Sequence, residues 1–173
     1  MIVLKSLATI GIKTFASAAV ILFARSVEAA STIEITCDIF ESVPTVVVTL
    51  SKQERSQTSP ILSFLPQYFS AEEAQYKCQT AAKKLHAFYS QGRMNYLASD
   101  TIEQKPVVCA VERRGLKCDG YSSEILFSLD RSINPTELLY DMLGKDFKGS
   151  RPSSLRAVNR IYSDLRPLWW PFR

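Results

Sequence analysis

Histidine is almost missing from this sequence, which contains only His86. A nucleophilic cysteine or serine normally needs a base such as imidazole beside it, so one histidine makes a catalytic thiol a weak hypothesis. The chain also lacks the G-x-S-x-G and H-E-x-x-H motifs, a phosphate-cradling glycine loop and a dinucleotide fingerprint. These absences favour a non-catalytic protein. The enzymatic alternative is a hydrolase whose acidic site is assembled only by the fold.

The net charge is also small. At +4 over 173 residues, the chain lacks the bulk positive charge of a nucleic-acid binder, and we expect no nucleic-acid partner. The charge is unevenly placed, because residues 30–144 hold 11 Lys and Arg against 14 Asp and Glu. Residues 145–173 hold 7 against 2. The basic character therefore belongs to the C-terminal segment.

The N-terminal apolar run is too short to cross a membrane. The run extends over residues 15–24 and is ten residues long, whereas a helix that spans a membrane needs about 20 apolar residues. Lys5 and Lys13 precede the run, and Val27 and Ala29 follow it at the −3 and −1 positions of a secretory signal peptide. We expect cleavage of residues 1–29 and export to the periplasm, the thylakoid lumen or the extracellular space. An uncleaved membrane anchor is the alternative.

The stretch around which the chain is organised runs from residue 70 to residue 92. Ser70 and Glu73 stand in the capping-box relation that opens a helix, and Gly92 suits the position that follows its last turn. Apolar residues recur at spacings of three and four and predict one buried stripe. Its members are Ala74, Cys78, Ala81, Leu85 and Phe88.

Three strands are predicted before this helix. Apolar and polar residues alternate over 32–39, which places Cys37 and Ile39 on one buried strand face. Residues 45–50 read as a second strand and residues 60–65 as a short third one. The polar stretch 51–59 has no periodicity and is predicted as a surface loop.

After the helix, residues 94–98 are predicted as a strand and residues 99–104 as a loop. Residues 106–111 and 116–118 are predicted to form a hairpin. In its expected register Val111 faces Leu116, and Cys109 then faces Cys118 on the same side.

The last predicted elements are one strand and one helix. Alternating Ile125, Phe127 and Leu129 give the strand. Asn134 and Pro135 form an N-cap and first-turn proline, which opens a short helix that runs to residue 143.

Four cysteines in an exported chain allow three pairings. We favour Cys37–Cys78, which joins an inward strand position to an inward helix position, and Cys109–Cys118, which closes the predicted hairpin. The rival interpretation is a four-cysteine zinc site, but zinc ligands usually come in close C-x₂₋₄-C pairs and these cysteines do not. We expect two disulfides, no metal and no cofactor.

These elements predict an α+β fold. A small, mainly antiparallel sheet packs on one long helix, with a second short helix, a C-terminal tail and disulfide staples. The predicted organisation is a signal peptide over residues 1–29, an exported domain over residues 30–144 and a basic, aromatic tail over residues 145–173.

The tail has a pattern of its own. Pro152 suits the start of a helix whose stripe would include Leu155, Val158, Tyr162 and Leu165. Tryptophan suits a membrane interface, and cationic residues add attraction to anionic lipid. The candidate membrane or partner contacts are Arg156, Arg160, Trp169, Trp170 and Phe172. The alternative is that both tryptophans fold back over the domain.

A set of short motifs follows one order along the chain around the four cysteines. These are Ile35-Thr36-Cys37, Pro44-Thr45, Pro60-Ile61, Tyr68-Phe69-Ser70, Lys77-Cys78, Gly92, Asn95-Tyr96-Leu97, Pro106-Val107-Val108-Cys109, Cys118, Leu126-Phe127 and Asn134-Pro135. With this order, the chain resembles the cyanobacterial circadian oscillating polypeptide family over residues 33–144, with a further similarity at Arg160-Ile161-Tyr162. The resemblance implies a small exported domain with no established enzymatic activity and no catalytic residues.

Together, these patterns favour an exported, non-catalytic domain of the cell envelope that serves as a binding or structural module. The alternatives are an envelope hydrolase with a fold-assembled acidic site and a peripheral protein attached to an anionic membrane through its Trp-rich tail. Any protein partner stays unidentified at this level.

Overall fold

The computed structural model describes residues 32–52, 54–149 and 160–166. The predicted signal peptide lies outside these residues. The elements in chain order are β1 (Thr32–Phe40), β2 (Val43–Lys52), β3 (Arg55–Ser63), α1 (Ala71–Ser90), β4 (Tyr96–Ile102), β5 (Lys105–Val111), β6 (Ser123–Ser128), α2 (Pro135–Met142), a 3-10 turn (Lys145–Phe147) and β7 (Tyr162–Asp164).

The fold is α+β, as predicted, and its described strands form two antiparallel sheets rather than one. The first sheet has the order β1-β2-β3, and the second has the order β6-β5-β4-β7. Helix α1 packs against β1, β2 and β6, whereas α2 packs against β3, β4 and β5. Both helices therefore bridge the two sheets, and the main hydrophobic core lies between these layers.

Helix α1 begins and ends where the sequence predicts. The Ser70 hydroxyl accepts a hydrogen bond from the Glu73 amide at 3.3 Å, and Gly92 takes the left-handed backbone (φ +70°) that ends many helices. All five residues of the predicted stripe are buried. The local signals for this helix agree with its packing, so the prediction is confirmed.

Helix α1 also covers the open edge of β6. Lys77 Nζ donates to the Ser128 carbonyl at 2.8 Å, and Lys84 Nζ donates to the Ile125 carbonyl. Lys84 adds an ion pair with Glu124 at 3.4 Å. An uncovered edge strand presents unpaired backbone groups that invite aggregation. These lysines satisfy two such carbonyls of β6.

The prediction of a loop over residues 51–59 is wrong. Strand β2 continues to Lys52 and β3 starts at Arg55, with the two strands paired in register from Lys52↔Arg55. The first residues of β3 are exposed, so neither face of this part of the hairpin needs apolar residues. A strand that is polar on both faces carries no alternation that could be recognised.

Ile39 also departs from expectation. It shares the alternation of Ile35, which is buried, but 60% of its own surface is exposed. It lies at the end of the β1–β2 hairpin, whose turn residues Glu41 and Ser42 both have positive φ. Alternation sets the sheet face of a residue, but not whether the core extends that far.

The second sheet corrects two further predictions. Strand β4 runs through residues 99–102, and only Glu103 and Gln104 form the turn to β5. The hairpin expected between residues 106–111 and 116–118 is absent from the described strands. Strand β5 instead pairs with β4 and β6, and Val111 lies opposite Tyr96 and Ser123.

Strand β6 does not keep one face over residues 125–129. Val108 pairs with Phe127, but Cys109 pairs with Ile125, because a bulge shifts the register between these positions. The extra residue of a bulge shifts the alternation of a strand, so that residues two positions apart can lie on opposite faces. Phe127 therefore packs in the main core, whereas Ile125 lies with a second cluster on the other face.

Helix α2 is capped as predicted. The Asn134 side-chain oxygen accepts from the Thr136 and Glu137 amides, at 2.9 and 3.2 Å. Just beyond this helix, the Gly144 amide donates to the Ile61 carbonyl at 3.0 Å. A Cβ at position 144 would lie 2.0 Å from the Pro60 carbonyl oxygen. This close backbone approach fixes the chain after α2 against β3.

The helix predicted in the tail is wrong where the structure describes it. Tyr162 begins β7, which pairs with β4, and Leu165 follows this strand fully buried in the main core. Leu155 and Val158, the other members of the predicted stripe, lie outside the described residues. The division of the chain at residue 144 stays a prediction, although residues 160–166 supply an edge strand to the second sheet.

Candidate functional site: the outer face of the second sheet

The outer face of the second sheet, turned away from the main core, carries its own small cluster. Ala98, Val107, Cys109 and Val111 are buried there together with Cys118. Cys118 belongs to the segment 112–122, which connects β5 to β6 and is attached to β5 by the Cys109–Cys118 disulfide. We call residues 112–122 the stapled loop.

Beside this cluster lies an ion pair between β4 and the segment that leads into β7. Arg160 Nη2 is 2.6 Å from Asp100 Oδ1. Asp100 Oδ2 accepts from the Cys118 amide at 3.1 Å, and Oδ1 accepts from the Thr101 amide at 2.9 Å. One carboxylate therefore joins the stapled loop to the C-terminal segment.

The surroundings keep Asp100 ionised. Burial by itself would raise the pKa of this carboxyl group, but the hydrogen bonds from Arg160, Cys118 and Thr101 outweigh burial and lower it. The same bond to Asp100 raises the pKa of Arg160. A carboxylate held as an anion in this way is poorly suited to deliver a proton as a general acid.

Further hydrogen bonds attach the C-terminal segment. The Tyr162 hydroxyl donates to the Leu116 carbonyl of the stapled loop at 2.9 Å. On the inner face, Ser163 Oγ donates to the Phe147 carbonyl at 2.8 Å. The Ile161 amide donates to Ser99 Oγ at 3.3 Å. Strand β7 is thus held from both faces of the sheet.

The end of the stapled loop is a tight, strongly bonded turn. Asp119 Oδ1 accepts from the Tyr121 and Ser122 amides at 3.0 and 3.1 Å, and these bonds lower the pKa of Asp119. The Gly120 amide donates to Ser123 Oγ at 3.0 Å, with Gly120 at φ +75°. The Tyr121 side chain itself extends into solvent from this turn and is 92% exposed.

The segment that follows α1 contacts both ends of the stapled loop. Asn95 Nδ2 donates to the Glu112 carbonyl at 2.8 Å, and Arg93 Nη2 donates to the Tyr121 carbonyl at 3.4 Å. The Arg93 guanidinium also lies 4.8 Å from the centre of the Phe88 ring. Arg93 therefore lies against the loop while packing on α1.

The four cysteines form the two disulfides that the sequence favours. Cys37–Cys78 joins β1 to α1, and Cys109–Cys118 joins β5 to the stapled loop. The second pairing is correct although the hairpin used to argue for it is wrong, because Cys118 approaches Cys109 from a loop.

Of the five proposed tail contacts, the structure describes Arg160 alone. Its guanidinium is paired with Asp100 and partly buried. The others, Arg156, Trp169, Trp170 and Phe172, lie outside the described residues. His86, the single histidine of the chain, is exposed.

Sequence reasoning missed Asp100 and Tyr121 as notable residues. Asp100 stands in a stretch read as loop, and its partner is 60 residues away in the chain. For Tyr121 a signal existed, because Asp119-Gly120 predicts a tight turn with an aromatic residue directly after it.

Among residues 32–52, 54–149 and 160–166, no cluster of His, Cys, Asp or Glu is arranged to hold a metal ion. In the same residues, neither helix has the length and hydrophobicity needed to cross a membrane.

Comparison with known proteins identifies the family of the chain. No curated protein and no solved structure matches the chain. The family model described as circadian oscillating protein COP23 matches residues 36–169. That match includes all four cysteines, the second sheet and the first sheet apart from the start of β1. The chain is therefore a member of the circadian oscillating protein COP23 family.

Proposed function

We propose that this protein is an exported, non-catalytic module of the cell envelope that acts by binding another molecule. Two disulfides in a small domain suit an oxidising compartment such as the periplasm, the thylakoid lumen or the extracellular space. The signal-peptide pattern over residues 1–29 supports the same location.

The observation that carries the binding role is the stapled loop. The loop is fixed by a disulfide at Cys118 and by side-chain hydrogen bonds near both ends, yet Tyr121 within it is almost fully exposed. Loops fixed by a rigid scaffold commonly carry binding residues. A rigid aromatic side chain loses little conformational freedom when a partner covers it.

The charges favour binding over hydrolysis. Asp100 is the one buried carboxylate among the described residues, and its oxygens are occupied by Arg160 and two backbone amides. A hydrolase with two acids would need a second carboxyl group within several ångströms on the other side of a substrate. The contacts of Asp100 are instead those of a structural ion pair.

Fractionation of native cells followed by mass spectrometry of the intact mature chain tests this proposal. We expect the protein in an exported fraction, with a chain that begins at residue 30 and a mass four hydrogens below that of the reduced form. A cytosolic protein with free thiols would contradict it. Incubation with a reductant before mass measurement gives the matched control for the hydrogen count.

A second candidate is attachment to an anionic membrane through the C-terminal tail. The observation in its favour is that β7 anchors residues 160–166 to the domain surface, so contacts by Trp169, Trp170 and Phe172 would be made from a fixed point. Arg160 contributes less than expected to this role because it is paired with Asp100.

Vesicles of phosphatidylglycerol test the membrane candidate. We expect the mature protein to bind them, added salt to weaken binding, and deletion of residues 167–173 to abolish it at an unchanged melting temperature. Vesicles of phosphatidylcholine are the uncharged control. A deletion that destabilises the fold, in a protein that ignores both vesicles, would contradict the candidate.

A further inference from the structure

Tyr121 is displayed by a turn whose neighbouring residues are all fixed. Cys118 is held by its disulfide and by Asp100. Asp119 and Gly120 are held by hydrogen bonds within the turn, and Ser123 begins β6. The position of Tyr121 is therefore set before any partner arrives, which removes much of the ordering cost of association.

The exposure of Tyr121 stands out among the described residues. Its side chain is 92% exposed, against 69% for Tyr76 on the surface of α1. A single exposed aromatic residue is ordinary. Tyr121 differs because its turn is fixed by a disulfide and several hydrogen bonds, and because Arg93 lies against its carbonyl. Tyrosine and arginine are the residue types enriched at the centres of protein interfaces.

Together, the stapled loop and Arg93 carry four cations against two carboxylates, Glu112 and Asp119, which is a net charge of +2 on a domain that is otherwise slightly acidic. Arg113, Arg114 and Lys117 lie in the stapled loop and are exposed, and Arg93 lies against it. Within the described residues, none of these four cations forms an ion pair. The carboxylate of Asp119 is occupied by the turn. Cations without a carboxylate partner are available to a partner of opposite charge.

We infer that the stapled loop, together with Arg93, is a docking surface for an acidic segment of another protein, with Tyr121 as its central anchor. Carboxylates of the partner pair with the four cations, while the Tyr121 ring is buried on contact and its hydroxyl forms a hydrogen bond. This inference rests on the proposed binding function and specifies its site. An acidic protein fits better than a lipid surface, because the aromatic residue here is a lone tyrosine rather than an apolar cluster.

Titration of the full mature chain with poly-L-glutamate, followed by NMR of its backbone amides, tests the site. We expect shifts confined to residues 93–95 and 112–122. Tyr121→Ala is expected to weaken binding about tenfold, the loss that corresponds to an interface hot spot. Tyr76→Ala is the matched control, because it removes an exposed tyrosine far from the loop cations and is expected to leave binding unchanged. Equal losses in the two variants would overturn the inference.

Two further measurements test the contribution of the loop cations and the chemical class of the partner. Arg113→Glu is expected to weaken poly-L-glutamate binding without loss of thermal stability, so it keeps the test valid if Tyr121→Ala perturbs the turn. Dextran sulfate and phosphatidylglycerol vesicles are offered in parallel. Tighter binding of either one, with the same dependence on Tyr121, would overturn the assignment to an acidic protein.

A photo-crosslinking residue at position 121 extends the test to native cells, with the same residue at position 76 as control. We expect a protein cross-linked from position 121 alone, through a segment rich in Asp and Glu. Equal yields from both positions, in a chain that is exported with both disulfides formed, would reject the docking site and leave the proposed function standing. A chain found reduced in the cytosol would instead reject the proposed function.

Discussion

The two disulfides connect different kinds of structure. Cys37–Cys78 links β1 to α1 across 41 residues, and both of these elements contribute apolar side chains to the main core. Cys109–Cys118 spans 9 residues and links β5 to a loop that contributes only Leu116 and Cys118 to a small outer cluster.

This difference suggests that one disulfide stabilises the whole fold and the other acts on a local segment. The first disulfide adds a covalent link between layers that hydrophobic packing already holds together. The second gives order to a segment that has little apolar surface of its own, and this segment in turn contacts Arg160 and Tyr162 through Asp100 and Leu116. We therefore expect the first to stabilise the whole fold and the second to order the stapled loop and β7.

The largest expected effect comes from removal of either disulfide. In the loop-entropy treatment the Cys37–Cys78 link contributes about 4 kcal/mol to the free energy of unfolding, and the Cys109–Cys118 link about 2.7 kcal/mol. Urea unfolding of the Cys37→Ala/Cys78→Ala and Cys109→Ala/Cys118→Ala variants measures both. A larger loss for the second pair would contradict the distinction drawn above.

Amide hydrogen exchange tests whether the second disulfide acts locally or on the whole fold. Without Cys109–Cys118, we expect faster exchange in residues 112–122 and 160–166 while α1 stays protected. Uniform acceleration across the chain would mean that this disulfide also serves the global fold.

A second test concerns the main core where α2 meets β3. Gly144→Ala would place a Cβ 2.0 Å from the Pro60 carbonyl oxygen, so the backbone must move, and we expect a loss of about 1–3 kcal/mol in unfolding free energy. Gly149→Ala is the matched control, because a Cβ there meets nothing within 4 Å. Equal stability of the two variants would contradict the close approach.

The third test addresses the ion pair on the outer face. Folding lowers the pKa of Asp100 below its unfolded value of about 3.9. Its stabilisation is therefore complete above about pH 4 and is lost as the pH falls through the folded pKa. Asp100→Asn is expected to cost about 1.5–3 kcal/mol at neutral pH, the range for hydrogen bonds to charged groups.

The pH profile of unfolding free energy provides the measurement. The difference between the wild type and Asp100→Asn should shrink on acidification below pH 4. Asp130→Asn, which neutralises an exposed carboxylate, is the control for the change in net charge. A difference that is independent of pH would show that Asp100 contributes through shape rather than charge.

The smallest expected effect is at the start of α1. Ser70→Ala removes the acceptor of the Glu73 amide and is expected to cost about 1 kcal/mol in unfolding free energy. Ser70→Asp keeps an acceptor and serves as control. A loss of unfolding free energy as large as that expected for either disulfide would mean that the start of α1, rather than the disulfides, limits the stability of the main core.

Prediction from the sequence succeeded where the signals are local. The capping residues Ser70 and Asn134 and the apolar stripe of α1 act within a few residues, so their consequences can be read directly. It failed for the first part of β3, residues 55–59, whose exposed residues show no alternation. It also failed for residues 99–102, where buried polar groups such as Ser99 and Asp100 resemble a loop until their distant partners are known.

The sequence by itself determined the two helices, the alternating parts of β1 and β2, and the Cys37–Cys78 pairing, because spacing and capping fix which side chains share a face. Tertiary structure decided the rest. Three features depend on which strand edge lies nearby to form hydrogen bonds. They are the division into two sheets, the bulge that places Ile125 and Phe127 on opposite faces, and the pairing of residues 162–164 as a strand. A backbone amide bonds to the acceptor that packing brings near it, as the Leu165 amide does with the carbonyl of Asn95, 70 residues earlier in the chain.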